Sequence, residues 1–541
     1  MSSKKKLILR GSLIPFLGIL GAYLFWPLTS DRFEITFDQK KIEGKEEYLS
    51  RKVSSTDTTR PPNIVIIMAD DLGKAEVSIY GQDLVQTPNI DAIARNGVLF
   101  TEGYITSPIC SPSRAGLITG RYQQRFGYEL QPHDRYPKNM AEYLGFKYFV
   151  DTDNWVLADE EVIYPKLEDI LKQGLPPSEI TMAELLKKRN YKTGIIGKWH
   201  LGFSEFSFPL QRGFDYFYGF YEAFSLYAYE DDPNIVNHHH EDLFTDKYIW
   251  GPGRTGNCAI YRNEEVVEEK EYITKKFAKE AVQFIEDNKE DPFLLYLPFN
   301  APHTPFQATK EDYEAFSHIE DKNKRVYYAM IKALDDAVGK ITSKIKSSGL
   351  EENTLIVFLS DNGGATYTEA TDNQPLKGGK VTNFEGGINI PFMMQWKGNI
   401  PEGMVYRKPV ISLDLFRTAS ELAGVPMPSD RAIDGVNLVP YINGEKSDEP
   451  HEALYWKAGY NHAIRKGDWK LILNDKDQRT VLYNLLSDKN ETTNVASSNP
   501  DVVEELKSDL RSWEKDLENP AWPRIMDWQF KTGNEVHHFA M

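Results

Sequence analysis

A chain of 541 residues, 41% hydrophobic and 26% charged, has the composition of a globular protein with one large α/β domain and room for a smaller one. Its formal net charge of −17 excludes a general nucleic-acid binder, which needs a basic footprint, yet permits an anionic substrate in a locally positive pocket. Two cysteines, Cys110 and Cys258, exclude a disulfide framework.

In chain order, Lys4, Lys5, Lys6 and Arg10 precede the almost wholly apolar run Gly11–Leu28. That run sits at the lower edge of a membrane-spanning length, exceeds the usual signal-peptide core, and has no Ala-x-Ala site behind it. Residues 1–30 therefore read as a membrane anchor or signal segment. The positive-inside rule puts the bulk of the chain outside, in the periplasm or on the outer side of the membrane. Residues 31–60 are polar and charged and read as a linker.

Asn63–Met68 is short, apolar and β-branched, which predicts a buried strand. Pro88–Asn96 predicts a helix with Thr87 as N-cap and Gly97 as stop, followed by a short strand, Val98–Phe100. In Ser107–Arg121, Pro112 suits the first turn of a helix that continues over Arg114–Ile118, placing Cys110 at its N-terminal mouth. Residues 122–177 form an irregular, aromatic and charged insertion. Thr181 and Glu184 make a capping box that opens a helix to about Arg189, and strand Tyr191–Gly197 follows. Phe208–Tyr261 reads as a long aromatic loop region. Then come a helix near Thr274–Asp287, strand Phe293–Pro298, a helix at about Lys324–Ser347, strand Thr354–Leu359 and helix Leu413–Ala423. Alternating strands and helices imply a mostly parallel sheet covered on both faces, spanning 61–445. Beyond the turn-rich Pro426–Asn443, residues 446–541 hold four short strands and a helix at Val502–Leu517, a smaller antiparallel subdomain.

Acidic pairs follow two of the strands: Asp70 and Asp71 after the first, Asp361 and Asn362 after Thr354–Leu359. Ligands collect at such strand ends, so the pairs can converge, and all-oxygen donors favour Ca²⁺ or Mg²⁺. Taken alone, each pair reads as a turn. Lys198 and His200 are two apart and face one side of extended chain. Alone they read as solvated surface, and His303 in Ala-Pro-His-Thr-Pro reads as part of a Pro-flanked loop.

Together these segments resemble a family. Cys110-Ser-Pro-Ser-Arg114 with Leu117-Ile-Thr-Gly-Arg121 is similar to the signature of the type I, formylglycine-dependent sulfatases. Asp70-Asp71, Gly197-Lys198-Trp-His200, His303, Lys380 with Glu385-Gly-Gly, and Asp361-Asn362 resemble its other motifs, over about Pro61–Trp522. The sequence departs at Val381, where a glycine is usual. The resemblance implies an alkaline-phosphatase-like α/β/α sandwich with a small C-terminal antiparallel subdomain. It implies that a formylglycine-generating maturation enzyme oxidises Cys110 to 3-oxoalanine, whose hydrate attacks sulfur. It implies metal binding by Asp70, Asp71, Asp361, Asn362 and the modified Cys110. Arg114 is implied at the same spot, Lys198 and Lys380 on the sulfate, His200 as the base that takes the remaining hydroxyl proton, and His303 as the acid on the departing alcohol. A phosphodiester or phosphonate hydrolase of the same superfamily, or a catalytically silent sulfated-glycan binder, are the alternatives.

The aromatic run Phe214–Tyr229 can supply rings for sugar faces, with at least half of them expected in the core. His238, His239 and His240 follow it, and His133 and Arg135 offer another wall. The overall look resembles sulfatases that act on algal polysaccharides of the carrageenan type.

Overall fold

The first strand, β1 (Asn63–Ala69), is buried throughout, and its side chains alternate between two cores. Ile64, Ile66 and Met68 enter one; Val65, Ile67 and Ala69 enter the other. A strand apolar on both faces must be covered on both, which is why its sequence reads as an unbroken hydrophobic run. The computed structural model describes residues 17–53, 60–150, 154–158, 162–239, 250–532 and 535–541.

Around β1 the main sheet gathers β2 (Val98–Phe100), β3 (Lys192–Lys198), β4 (Tyr216–Phe220), β5 (Tyr261–Arg262), β6 (Glu265–Val266), β7 (Phe293–Pro298), β8 (Thr354–Ser360), β9 (Phe392–Gln395) and β10 (Met404–Tyr406). The order is β10-β2-β9-β8-β1-β7-β3-β4-β5-β6. Its centre, β8-β1-β7-β3-β4, is parallel, while β9 and the short β5 run antiparallel to it and β6 turns back antiparallel to β5. Three helices supply one core: α3 (Pro88–Arg95), α7 (Ile273–Asn288) and α8 (Lys322–Ser347). The other core takes α4 (Cys110–Thr119), α6 (Met182–Leu186) and α9 (Asp414–Leu422).

The smaller sheet is an antiparallel meander, β11 (Ala453–Ala458), β12 (Asn461–Lys466), β13 (Trp469–Asn474) and β14 (Arg479–Asn484). Leu506, Leu510 and Trp513 of α10 (Pro500–Glu514) share its core with Val381, Phe384 and Ile388. The subdomain therefore backs the loop that carries Lys380. A further hairpin, Met526–Thr532 with Glu535–Ala540, adds Trp155–Leu157 as a third strand.

Several expectations need correction. Tyr216–Phe220 is a central strand rather than aromatic loop, because its rings fill both faces beside β3. The insertion 122–177 contains α5 (Met140–Phe149) and the strand Trp155–Leu157. Thr87 holds the N-cap position without capping; Asp335 of α8 instead accepts from the backbone N–H groups of Asn89 and Ile90, at 3.0 and 2.8 Å. Residues 31–60 are not all linker. Gln39–Ser50 is a helix, α2, whose buried Lys45 lies 2.6 Å from Glu184 and donates to the Pro177 and Glu179 carbonyls. Lys4–Lys6 and Arg10 fall outside the described residues. Residues 17–25 form a helix, α1, with Ile19 and Phe25 exposed, and among the described residues no helix is long and apolar enough to cross a membrane.

Candidate active site

Four adjacent strands, β8-β1-β7-β3, end at the same edge, and each is followed by a polar residue of interest. Asp361 and Asn362 come from β8, Asp70 and Asp71 from β1, His303 from the loop after β7, and Lys198 and His200 from the end of β3. All are buried. Cys110 opens α4 against them, its Sγ 3.4 Å from Asp70 Oδ1 and 3.7 Å from Asp71 Oδ1. The helix N-cap, Ile109, has no side chain to cap it, so free N–H groups and the helix dipole face this point.

Cations bind the acids in pairs. Lys198 Nζ is 2.7 Å from Asp70 Oδ2, and Lys380 Nζ lies 2.9 Å from both oxygens of Asp71. Arg114 donates through Nε and Nη2 to Asp361 Oδ2, at 2.9 and 2.7 Å, and through Nη1 to the Lys198 carbonyl. Arg114 thus braces the acidic frame rather than standing free over Cys110. Burial alone would raise Asp70 and Asp71, but the Lys198, Lys380 and His303 charges outweigh it and hold both below the usual carboxylate range. The Cys110 thiol moves the other way: burial and the Asp361 charge push it well above its ordinary value. A cysteine kept as neutral thiol is a poor nucleophile.

The two histidines differ. His303 Nδ1 lies 2.6 Å from the Thr304 carbonyl, which assigns Nδ1–H as donor and turns Nε2 toward Asp71, 3.6 Å away. Burial and Lys380 lower His303, while Asp71 and Asp70 oppose them. Neither ring nitrogen of buried His200 has a hydrogen-bond partner. Its backbone is fixed: N–H donates to the Tyr221 carbonyl at 3.1 Å, and its own carbonyl accepts from Ser111 Oγ at 2.6 Å. Burial and the charges of Lys198 and Arg114 push His200 well below 6.5, so it is a neutral imidazole awaiting a proton donor. Asp71 and His200 both hold left-handed backbone, at φ 62° and 56°, a strain typical of residues fixed for function.

The donor set fits a hard divalent cation. Asp70, Asp71, Cys110 and His303 bring one ligand atom each within 4.8 Å of one another. Asn362 spends Nδ2 on Asp71 Oδ1 and the Gly363 carbonyl, leaving its buried Oδ1 unpartnered. Asp361 lies among these residues, with Oδ1 accepting from the Asp71 N–H and Oδ2 from Arg114. Buried carboxylates and an orphaned amide oxygen are what such an ion satisfies. The sequence expectation did not include His303 in this group.

Val381 occupies the glycine-like position with φ +77°, its N–H donating to the Pro108 carbonyl at 2.8 Å. The loop therefore keeps a left-handed turn in spite of the β-branched side chain, and ties Lys380 to the Cys110 segment.

Of the aromatic run, Phe214, Phe217, Tyr218, Phe220, Tyr221 and Tyr227 are buried, so most of these rings are core. Tyr227 Oη hydrogen-bonds the carbonyls of Asn300 and His303 and so positions the His303 loop. His238 lies in a strand paired with Phe306–Thr309, His239 stacks on Trp250, and His240 is outside the described residues. A cavity of about 720 Å³ opens beside the buried cluster, not on it. Its walls include His133, Arg135, Glu222 and Phe224. Glu222 directly follows Tyr221, whose carbonyl holds His200, and it feels the Lys198 charge. Sequence reasoning missed Glu222, because a lone acid in an aromatic run carries no motif.

The family model described as "Sulfatase" matches residues 62–425, and one described as "N-sulphoglucosamine sulphohydrolase, C-terminal" matches 379–516. The chain is 33% identical over 424 residues to an N-acetylgalactosamine-6-sulfatase of Rattus norvegicus, covering 76% of this chain and 72% of that one. It is 31% identical over 463 residues to a steryl-sulfatase of Homo sapiens, covering 75% and 73%. The solved structure of Ps i-CgsB in complex with k-i-k-neocarrahexaose superimposes with a TM-score of 0.71 at 32% identity, covering 86% of this chain and 95% of that one.

Proposed function

The chain belongs to the sulfatase family and is a sulfuric ester hydrolase; on that premise we propose that it removes sulfate from a sulfated algal carbohydrate, using formylglycine formed from Cys110 and a bound Ca²⁺ or Mg²⁺. The observation that carries this reading is the convergence of a neutral Cys110 with three buried acids, three buried cations and two histidines at one sheet edge. A thiol there has neither the ionisation for nucleophilic attack nor a second hydroxyl. Hydrated formylglycine supplies two hydroxyls on one carbon, one to receive the sulfuryl group and one to expel it. When bound, the divalent ion supplies polarisation of a sulfate oxygen.

The protein's own side chains do the rest. Lys198 and Lys380 exchange part of their carboxylate pairing for the sulfate oxygens, and stabilise charge where water is excluded. Arg114 holds Asp361 in place and opposes the burial and the Asp70 charge that raise its carboxyl. His200, neutral and unpartnered, accepts the proton of the second hydroxyl. His303 presents Nε2, and the incoming sulfate ester's negative charge favours its protonated form, which then protonates the departing alcohol.

The likeness to a protein solved with k-i-k-neocarrahexaose supports a carrageenan-type galactan. The basic Lys4–Lys6 and apolar Gly11–Leu28 support an extracytoplasmic location, where such glycans arrive. Two measurements test the reading. Mass spectrometry of the Cys110 peptide from active protein is expected to show the aldehyde, and an active preparation carrying only thiol would sink the mechanism. Sulfate release is expected from carrageenan-type oligosaccharides. Turnover confined to small aryl sulfates would remove the glycan.

A further inference from the structure

We propose that the cavity beside the catalytic cluster binds an uncharged sugar residue of the substrate, the neighbour of the sugar that carries the scissile sulfate. This deepens the sulfatase reading and rests on it. The volume, about 720 Å³, lies within the roughly 300–1,000 Å³ of small-ligand sites. Glu222 in its wall is one residue from the carbonyl that anchors His200, and it feels the Lys198 charge.

Two residues lining this space, Glu222 and His133, each hold a buried polar atom without a partner, Oε2 and Nε2. A buried polar atom without a partner costs about 1–3 kcal/mol, which a turn of either side chain toward a hydroxyl-bearing ligand would recover. Burial and the Asp134 charge push Glu222 up to about 7, so near neutrality it both donates and accepts. Burial pushes His133 down to about 4, so it stays neutral. Half-buried Phe224 offers a ring to the face of a sugar.

The charges exclude a second anion. Asp134, Glu142 and the ionised fraction of Glu222 line the cavity against one cation, Arg135, which is itself 3.7 Å from Asp134 and largely exposed. A sulfate or carboxylate placed there meets more like charge than opposite charge and loses its hydration. Polyhydroxylated neutral rings meet donors, acceptors and an aromatic face.

The test uses mature wild-type protein with 4-nitrophenyl sulfate and two sulfated galacto-oligosaccharides. One carries a single sulfate on its terminal sugar; the other carries a further sulfate on the adjoining sugar. The singly sulfated compound is expected to show the higher kcat/KM, by about tenfold. In Phe224→Ala the ratio of its kcat/KM to that of the aryl sulfate is expected to fall about tenfold, chiefly through KM. Glu222→Gln, which keeps size and removes charge, is expected to narrow the preference between the two oligosaccharides. Preference for the doubly sulfated compound, or ratios unchanged in both variants, would overturn the proposal while leaving the sulfatase reading intact. Loss of all three activities in the wild type would instead remove that reading, and the cavity's role with it.

Discussion

His200 and His303 are both buried, yet only His303 faces a carboxylate, and that difference separates their proposed tasks. His303→Ala is expected to reduce turnover of sugar sulfates by roughly 10²–10⁴-fold and of 4-nitrophenyl sulfate far less, since a nitrophenolate leaves without a proton. Equal losses in steady-state assays on both substrates would refute the acid role. His200→Ala is expected to slow both substrates and leave sulfated enzyme detectable by intact mass. Arg114, Asp70 and Asp361 form a tighter unit. Asp361→Ala leaves the fully buried Arg114 without its bidentate partner, and is expected to destabilise the fold by about 3–5 kcal/mol as well as abolish activity, read by thermal unfolding. Chelation of the divalent ion is expected to lower the unfolding midpoint, and added Ca²⁺ to restore it. An unchanged midpoint would argue against a resident metal. Motif residues were legible because their spacing is local: Lys198 and His200 lie on one strand end, Asp70 and Asp71 on another. His133 was singled out with Arg135 as a wall, but Glu222 was not, since it joins them only through packing of distant segments.

At the level of elements, the sheet edge was legible wherever a strand was aliphatic. Asn63–Met68 and Thr354–Leu359 announced themselves, whereas Tyr216–Phe220 did not, because large rings at four of its five positions, broken only by Gly219, hide a period of two. The third strand Trp155–Leu157 pairs with Met526–Trp528 across most of the chain's length, beyond the reach of any local pattern. Behind the Lys380 loop, Lys470 of β13 bridges Glu385 and Glu491 at 2.8 and 2.9 Å, with all three side chains fully buried. Burial pushes Glu491 up to about 7, while Lys470 and Arg465 overcome burial and hold Glu385 down to about 2. Lys470→Met is expected to cost about 3–5 kcal/mol by stranding two acids. Lys466→Met on the neighbouring strand removes more exposed pairs with Glu505 and Asp509, and is expected to cost under about 1 kcal/mol. Comparable losses in parallel melts would contradict this ranking of the two.

For the molecule as a whole, buried acids set a pH dependence away from the catalytic chemistry. Burial pushes Glu76 and Glu491 up to about 7 from an ordinary 4.5. Their folded forms hold protons more tightly than the unfolded chain, so the stability they contribute is lost as pH rises through about 7. Buried His133, down at about 4, acts oppositely, and its contribution falls as pH drops below 6.5. Between pH 6.5 and 8 Glu76 and Glu491 are expected to remove about 1–2 kcal/mol, partly offset by Lys74, which burial pushes down to about 7 and whose contribution rises with pH over this range. Glu76→Gln should flatten that slope in melts at constant ionic strength; a slope unchanged by it would show that other groups carry the dependence.

Both sulfurs capable of thiol chemistry are buried, one in the catalytic cluster and one, Cys258, on the cavity wall. The proposed conversion of Cys110 to an aldehyde would remove one of two thiols and leave a carbonyl in its place. Colorimetric thiol counting on denatured protein then becomes a stoichiometric ruler for maturation: two equivalents per chain before it, one after. Fractional values give the active-site concentration of any preparation, against which every turnover number can be normalised without knowing the natural substrate.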